Sequence, residues 1–432
     1  MTGLASKRSP LLSILLICAA SMYFYWRRVP HNIDAIAPSP LSRARPLTDL
    51  YPRWYGTREL LLHHRDPYSA AVTQEIQLAY DGREQRFAYP LYAILFLAPT
   101  VGIQFHSAQI VFWWFLAAVT GLSLAAWLSV VRVQLSPFSL IALFATVFLS
   151  VPVLQGLSLL QFGLLVAGLL SGTAAAILSG NLFLAGVLLA LATIKPPLCL
   201  LPACWFLLWV SGDWRQRRPL LWGFAATLAV LVLATELLVP GWLLRYPSVL
   251  AAYAKYSDPS SLIGVFLPHF LRWPVTIGGL LATASFCWRI RRQPANSIHF
   301  VLALAFVLTL TVMIIPTAMP PYNHVLLLPA VLLIFHHWSD LRSRFFLFRL
   351  LMSLFVGIAA LPWLLAPIVF LKSLISIRRL SMNFVLLPLY ASLALPFAVM
   401  GLLLLLVRPC PSISRTGGLP PRSSSLGDSK LR

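Results

Sequence analysis

The strongest constraint in this sequence is a series of long apolar segments that follow one another almost without interruption from residue 88 to residue 407. A transmembrane helix needs about 20 mainly apolar residues, because the hydrocarbon core of a bilayer is about 30 Å thick. Hydrophobic residues make up 59% of the 432-residue chain and charged residues only 10%, against about 25% in a soluble domain. The composition therefore excludes a water-soluble enzyme, a nucleic-acid-binding module and a disordered protein.

These segments predict an all-α polytopic membrane protein with about twelve transmembrane helices. The first would cover residues 10–26, and the aromatic and basic residues at its end favour a retained helix over a cleaved signal peptide. Segment 182–210 contains Lys195 and two prolines, so it is either one kinked helix or two half-helices with a re-entrant turn. The other predicted spans are 88–105, 110–131, 138–153, 157–178, 220–239, 274–290, 298–315, 324–338, 345–371 and 385–407.

The basic residues indicate how the chain is oriented in the membrane. The formal net charge is +21, and the cations lie in short clusters between apolar segments, which is typical of the positive-inside rule rather than of nucleic-acid binding. If the spans alternate, the clusters at 215–218, 289–292 and 342–344 and Arg408 all face the cytoplasm. We therefore predict a multi-pass protein of the cell (inner) membrane, with a transmembrane domain over 1–408 and a disordered cytoplasmic tail over 409–432.

One polar loop interrupts the apolar pattern. Residues 27–87 contain seven of the twelve acidic residues, together with apolar positions suited to short helices that lie on the bilayer surface. With the amino terminus in the cytoplasm, this loop faces the extracytoplasmic side. We expect the chemistry of the protein to take place there.

Asp49 is the candidate base in this loop, because it lies among aromatic and basic residues. A carboxylate that has lost part of its water is more basic and can act as a general base. The alternative is that Asp49 caps a helix that begins near Leu50, with Pro52 in its first turn. The residues alone leave both interpretations open.

Asp66 and Tyr68 form the second motif of the loop, on either side of Pro67. An Asp before a proline usually starts a turn or caps a helix. Asp66 could otherwise hold a sugar hydroxyl while the ring of Tyr68 packs on a sugar face.

The adjacent His63 and His64 would point about 100° apart on a helix, and we predict no metal site and no cofactor.

Three polar residues lie in apolar surroundings further along the chain. Lys195 either reaches the membrane surface or binds an anionic group such as a lipid phosphate. Gln161 is either a site residue or a hydrogen-bond link between helices. His324 follows a proline-rich connector, where it could stabilise a leaving phosphate or be an ordinary interface residue.

The order of these motifs resembles a known family of membrane enzymes. The motifs are an early loop Asp49, then Asp66-Pro67-Tyr68, Phe87-Ala88-Tyr89-Pro90, Lys195-Pro196-Pro197 and Tyr322-Asn323-His324. The pattern is similar to the GT-C superfamily of integral-membrane glycosyltransferases, and within it to glycosyltransferase family 87, which includes mycobacterial polyprenol-phosphate-mannose-dependent mannosyltransferases. Leu91 replaces a second proline, and Leu160-Gln161-Phe162-Gly163 replaces the family's Gly-Gln-x-Asn. These departures concern the substrate rather than the fold.

The resemblance implies transfer of a hexose, mannose-like, from a polyprenyl-phosphate sugar to a hydroxyl of a glycan or glycolipid, on the extracytoplasmic face and with inversion. Asp49 would be the general base, and His324 with Lys195 or Arg58 would stabilise the leaving phosphate. The expected substrate-binding residues are Arg58, Asp66, Tyr68, Tyr89, Gln161, Lys195 and Tyr322.

The alternative function is a transporter or flippase of a lipid-linked sugar. Such proteins typically contain internal repeats, and the sequence shows none.

Overall fold

The fold consists of helices and connecting turns in every part of the chain that can be described. The computed structural model describes residues 22, 47–257, 260–338, 346–375 and 382–407, and these residues contain no β-strand. The prediction of an all-α polytopic membrane protein is confirmed. Apart from Met22, the predicted first span lies outside the described residues, and so do the tail and the cations at 342, 344 and 408.

The polar loop contains the two short helices that its composition predicts. Helix α1 covers Tyr51–His63 and helix α2 covers Ala70–Ala79, where the Ser69 hydroxyl accepts a hydrogen bond from the Val72 amide. A short series of 3-10 and α-helical turns from Leu91 to Thr100 then leads towards the first long helix.

An ion-pair network connects the two loop helices. The Arg65 guanidinium lies 2.8 Å from the Glu59 carboxylate and 2.6 Å from the Glu75 carboxylate. The Tyr55 hydroxyl donates a hydrogen bond of 2.7 Å to Glu75. The bonds from Arg65, with the one from Tyr55, lower the pKa of the Glu75 carboxyl, while burial raises the pKa of the Tyr55 phenol.

Sixteen further α-helices follow along the described chain. They are α3 (Phe105–Val131), α4 (Pro137–Phe148), α5 (Val151–Ser158), α6 (Phe162–Leu178), α7 (Leu182–Ala192), α8 (Pro196–Ser211), α9 (Trp214–Leu238), α10 (Trp242–Ala254), α11 (Leu262–Phe266), α12 (His269–Ile290), α13 (Ile298–Ile314), α14 (Leu328–His336), α15 (Phe346–Ile375), α16 (Met382–Val385), α17 (Leu387–Ser392) and α18 (Leu395–Val407). Two 3-10 segments, Pro316–Ala318 and Pro321–Leu327, lie between α13 and α14.

The number of full-length spans among the described residues is smaller than the number of predicted segments. Five stretches are long and apolar enough to cross a membrane: α3, α9, α12, Phe346–Lys372 within α15, and Leu387–Val407. Helices α4 and α5, which meet at a bend of 55°, can count as a sixth. Six shorter apolar helical stretches of 10–17 residues occupy most of the other predicted segments.

The segment around Lys195 forms two helices and not one kinked helix. Helix α7 ends at Ala192 and α8 begins at Pro196, whose missing N–H group costs nothing in a first turn. Lys195 itself has a non-helical backbone conformation, with φ −126° and ψ 79°. Irregular backbone at this depth is tolerated where it lines a cavity or is enclosed by protein.

Helix α13 lies in the centre of the fold. Every residue from 300 to 314 is buried, and the helix is apolar on all sides, as expected for a helix that other helices surround. It packs against α8, α12, α14 and α18.

One predicted orientation cation is part of the interior. Arg217 is buried, and its guanidinium donates hydrogen bonds of 2.7 Å to the carbonyls of Trp209 and Arg291 and of 3.0 Å to that of Gln293. The bonds satisfy carbonyl groups near the ends of α8 and α12. They also bring the clusters at 215–218 and 289–292 to the same end of the helical bundle, as the positive-inside argument expects.

Two glycines allow helices α7 and α9 to pack in direct backbone contact. A Cβ atom at Gly186 would lie 2.1 Å from the Leu220 carbonyl oxygen, and one at Gly223 would lie 2.2 Å from the Phe183 carbonyl oxygen. Small residues at such crossings are typical of helix pairs in membranes.

We expect Gly186→Ala to destabilise the protein by about 1–3 kcal/mol, because the new methyl group must push two backbones apart. Thermal unfolding of the detergent-solubilised protein measures the effect. Gly278→Ala is the matched control, since a Cβ atom there has nothing within 4 Å. Equal melting temperatures for the two variants would contradict the close packing of α7 and α9.

Candidate active site

The Asp49 side chain forms a hydrogen bond with the helical bundle and does not cap α1. Leu50 occupies the N-cap position, and no side chain caps this helix, so the capping interpretation of Asp49 is wrong. The Asp49 carboxylate instead accepts a hydrogen bond from the amide nitrogen of Gln161, which is buried and immediately precedes α6. Sequence reasoning left Gln161 either as a site residue or as a helix link, and the structure makes it the direct partner of the candidate base.

Arg53 places a positive charge next to Asp49. It lies in the first turns of α1, and its guanidinium donates a hydrogen bond to the backbone carbonyl of Asp49. The same guanidinium lies 4.3 Å from the ring centroid of Tyr89 and 5.6 Å from that of Phe162. Aromatic faces attract a cation without neutralising it, so its charge remains available for an anionic ligand.

Lys195 supplies a second cation, and Asn323 holds it in position. The Lys195 ammonium donates a hydrogen bond of 3.3 Å to the side-chain oxygen of Asn323 and lies 4.9 Å from the ring centroid of Tyr322. Asn323 is fully buried, and its amide nitrogen donates to the carbonyls of Thr317 and Ala318, each at 3.3 Å. All these bonds leave Lys195 without a carboxylate partner among the ion pairs of the described residues.

Gly163 makes room for this arrangement. A Cβ atom at this position would lie 2.5 Å from the Asn323 side-chain oxygen and 3.6 Å from the Lys195 ammonium. Position 163, two residues after Gln161, therefore has to lack a side chain for Asn323 and Lys195 to meet as they do.

Asp49, Arg53 and Lys195 line one cavity of about 110 Å³, which we call the cation cavity. Five of the predicted site residues meet there: Asp49, Tyr89, Gln161, Lys195 and Tyr322. Arg53 joins them, and Tyr246 and Tyr253 of α10 form another part of the wall. The cavity combines one carboxylate, which can accept a proton, with two cations, which can stabilise a negative charge.

Asp66 and Tyr68 do not line the cation cavity. They form hydrogen bonds and an ion pair with the elements around it. One Asp66 oxygen accepts a hydrogen bond of 2.9 Å from the Tyr68 amide, which forms a turn, and the other pairs with Arg245 of α10. The Tyr68 hydroxyl donates a hydrogen bond of 2.6 Å to the Tyr89 carbonyl. The two residues thus attach the loop to α10 and to the segment that carries Tyr89.

His324 and Arg58 also lie apart from the cation cavity. His324 is buried on the wall of a second, mainly apolar cavity of about 160 Å³, together with residues such as Val153, Phe355 and Trp363. Arg58 is half-buried, with its guanidinium 5.6 Å from the Trp54 ring centroid. Within the described parts of the chain, no three His, Cys, Asp or Glu side chains lie close enough together to hold a metal ion.

Sequence reasoning missed Arg53, Asn323 and Gly163. Arg53 follows Asp49 by four residues, which is the spacing of one helical turn, and this signal could have identified it. Asn323 lies between two selected residues, Tyr322 and His324. The two α10 tyrosines have no comparable signal, because only the tertiary fold brings α10 to the loop.

The fold and this site define a polytopic membrane protein with an acid and two cations in one cavity beside a polar loop. A family model for glycosyltransferase family 87 matches residues 87–316, which is more than half of the chain. The chain therefore belongs to glycosyltransferase family 87, and the resemblance noted from its motifs is confirmed. Tyr89, Gln161 and Lys195 lie inside the matched region, whereas Asp49 and Tyr322 lie outside it. No curated protein matches the chain, and no solved structure does. Membership of a transferase family favours the enzyme over the transporter alternative.

We expect Gly163→Ala to reduce the sugar-transfer rate by at least tenfold, because its methyl group displaces Asn323 and with it Lys195. The transfer rate is measured next to the melting temperature, so that a loss of folded protein is recognised. Gly121→Ala is the control, since a Cβ atom there makes only ordinary contacts of 3.8 and 3.9 Å with two phenylalanine rings. A Gly163→Ala enzyme with full activity would show that the position of Lys195 does not matter.

Proposed function

We propose that this glycosyltransferase moves a mannose-like hexose from a polyprenyl-phosphate donor to a hydroxyl of a glycan or glycolipid, on the extracytoplasmic face of the cell membrane. The observation that carries the proposal is the shared cavity of the Asp49 carboxylate with Arg53 and Lys195. One group accepts a proton there, and the other two stabilise the charge of a departing phosphate.

Asp49 acts as the general base in this proposal. The acceptor hydroxyl gives its proton to the carboxylate, and its oxygen forms a bond to the anomeric carbon while the bond from that carbon to the phosphate oxygen breaks. The single displacement inverts the anomeric configuration. The Gln161 amide holds one carboxylate oxygen and thereby orients the other towards the acceptor, as catalysis by a positioned base requires.

Lys195 and Arg53 stabilise the phosphate that leaves with the bonding electron pair. Cations fixed before the reaction act on developing charge without having to reorganise, and they are more effective where water is excluded. His324 and Arg58 were the sequence-based candidates for this role with Lys195. Because neither lines the cation cavity, the proposal assigns the role to Lys195 and Arg53 instead.

The length of α9 supports the extracytoplasmic placement of the site. Helix α9 has 25 residues and therefore spans roughly 37 Å. Arg217, a member of the basic cluster at 215–218, lies at the beginning of α9. At its other end the chain continues into α10, whose Tyr246 and Tyr253 line the cation cavity. This arrangement supports a site on the side of the membrane opposite to the cluster, which the positive-inside rule assigns to the cytoplasm.

We expect Asp49→Asn to lower kcat by about 10²–10⁴-fold, the usual contribution of a general base. The measurement is transfer of radiolabelled mannose from polyprenyl-phosphate mannose by the full chain in liposomes. Glu84→Gln removes an exposed carboxylate of the same loop and should keep wild-type activity. An Asp49→Asn enzyme as fast as the wild type would contradict the role of Asp49.

We expect Lys195→Met to weaken both donor binding and kcat, since it removes a cation that faces the phosphate before and during the reaction. Initial rates at varied donor concentrations measure the two effects separately. Lys372→Met, in an exposed part of α15, is the control. Unchanged donor KM and kcat in Lys195→Met would exclude Lys195 from the phosphate site.

A further inference from the structure

A third cavity lies on the surface, directly behind the wall that carries Asp49. It is open, has a volume of about 340 Å³, and we call it the Trp113 groove. Its main side chains come from the first turns of α3, namely Gln109, Trp113 and Trp114, with Thr48 and Ser158 beside them.

The Trp113 groove and the cation cavity share a wall. Thr48 lines the groove and its neighbour Asp49 lines the cation cavity, while Leu160 lines the groove and its neighbour Gln161 lines the cation cavity. The hydrogen bond from Gln161 to Asp49 lies within this wall. The candidate base therefore lies in the wall that separates the two spaces, and it lines the cation cavity.

The two spaces differ in charge. Arg53, Lys195 and Asp49 line the cation cavity, whereas the lining of the groove contains no Lys, Arg, Asp or Glu, and His106 is its one titratable side chain. The phosphate of a donor is therefore matched by the cation cavity. The groove suits a neutral ligand.

The side chains of the groove indicate the chemical class of this ligand. The rings of Trp113 and Trp114 meet edge to face with centroids 4.8 Å apart, and Trp114 is 66% exposed. The Gln109 amide donates a hydrogen bond of 3.2 Å to the Thr48 hydroxyl, so an amide and a hydroxyl lie next to the indole rings. A sugar ring has apolar C–H faces and equatorial hydroxyls. It therefore matches aromatic ring faces that lie beside a few neutral hydrogen-bonding groups.

We propose that the Trp113 groove is the acceptor site and binds the terminal, uncharged sugar ring of the acceptor. The assignment rests on the sugar transfer proposed above and adds the site of the second substrate. An acceptor in the groove reaches Asp49 from the Thr48 side, and the phosphate leaves on the Lys195 side. An inverting displacement needs this arrangement, because the incoming oxygen and the leaving oxygen must lie on opposite sides of the anomeric carbon.

Binding of simple sugars in the absence of donor tests the assignment. The probes are methyl α-D-mannopyranoside and methyl α-D-glucopyranoside, and the readout is saturation-transfer NMR on the full chain in detergent. We expect at least one of them to bind the wild-type protein, with a several-fold weaker signal in Trp114→Ala and no change in Lys195→Met. Trp222→Ala, which removes another tryptophan that is 60% exposed, is the matched control and should bind as the wild type does.

The kinetic counterpart is a raised acceptor KM in Trp114→Ala with an unchanged donor KM. If Trp114→Ala does not fold, Gln109→Leu takes its place in both measurements. Binding of neither sugar to the wild type, binding that survives both substitutions, or binding lost in Lys195→Met would overturn the assignment. In the last two cases Trp113 and Trp114 would be part of an interfacial aromatic belt only.

The outcome for the groove can be told apart from the outcome for the proposed function. If the wild type transfers mannose from the polyprenyl-phosphate donor and Trp114→Ala does so with an unchanged acceptor KM, the groove assignment fails and the function stands. If no transfer occurs although the sugars bind in a Trp114-dependent manner, the proposed function fails and the groove remains a sugar site.

Discussion

The hydrogen bond from the Gln161 amide to the Asp49 carboxylate is the contact on which the site depends. It joins the polar loop to the start of α6, across 112 residues of chain, and it fixes an acid at the edge of a bundle that is otherwise apolar. Without it the loop would still be attached through Asp66 and Tyr68, but the carboxylate would have no fixed direction. The bond also lies in the wall that separates the cation cavity from the Trp113 groove.

The second constraint is the cost of keeping Lys195 inside the protein. A buried ammonium group is expensive unless polar groups surround it. The chain meets this need by breaking the helix before Pro196, by placing the fully buried Asn323 next to the ammonium, and by having glycine at position 163. None of these features satisfies the charge with a carboxylate. Lys195 is thus held in place while its charge stays available to an anionic ligand.

The apolar segments predicted the fold class, because hydrophobic length is a local property that the sequence carries directly. They did not predict the ends of the helices. The bend between α4 and α5 depends on what surrounds it, and the prolines after Lys195 left a kinked helix and two half-helices both open, so several predicted spans are shorter helices. Likewise, only the packed structure shows that Arg217 binds carbonyl groups of other helices. The sequence of a basic cluster does not show whether its members are exposed or buried.

For the site, the residue types in the sequence were informative, but the sequence did not show where the side chains point. Asp49, Gln161 and Lys195 are polar residues in apolar or aromatic surroundings, which is why the sequence selects them as candidates, and the structure brings all three to the cation cavity. His324 stood out for the same reason, yet it faces the second cavity, while its neighbour Asn323 faces Lys195. Adjacent residues on a helical turn point in different directions, and the tertiary fold decides which one reaches the site.

The most direct measurement of the central claim is an electron cryomicroscopy structure of the full chain with a non-transferable phosphonate analogue of polyprenyl-phosphate mannose. We expect the phosphonate in the cation cavity, in contact with Lys195 and Arg53, with the anomeric carbon between it and the Asp49 carboxylate. A phosphonate bound elsewhere, or an anomeric carbon that the Asp49 side cannot reach, would contradict the account.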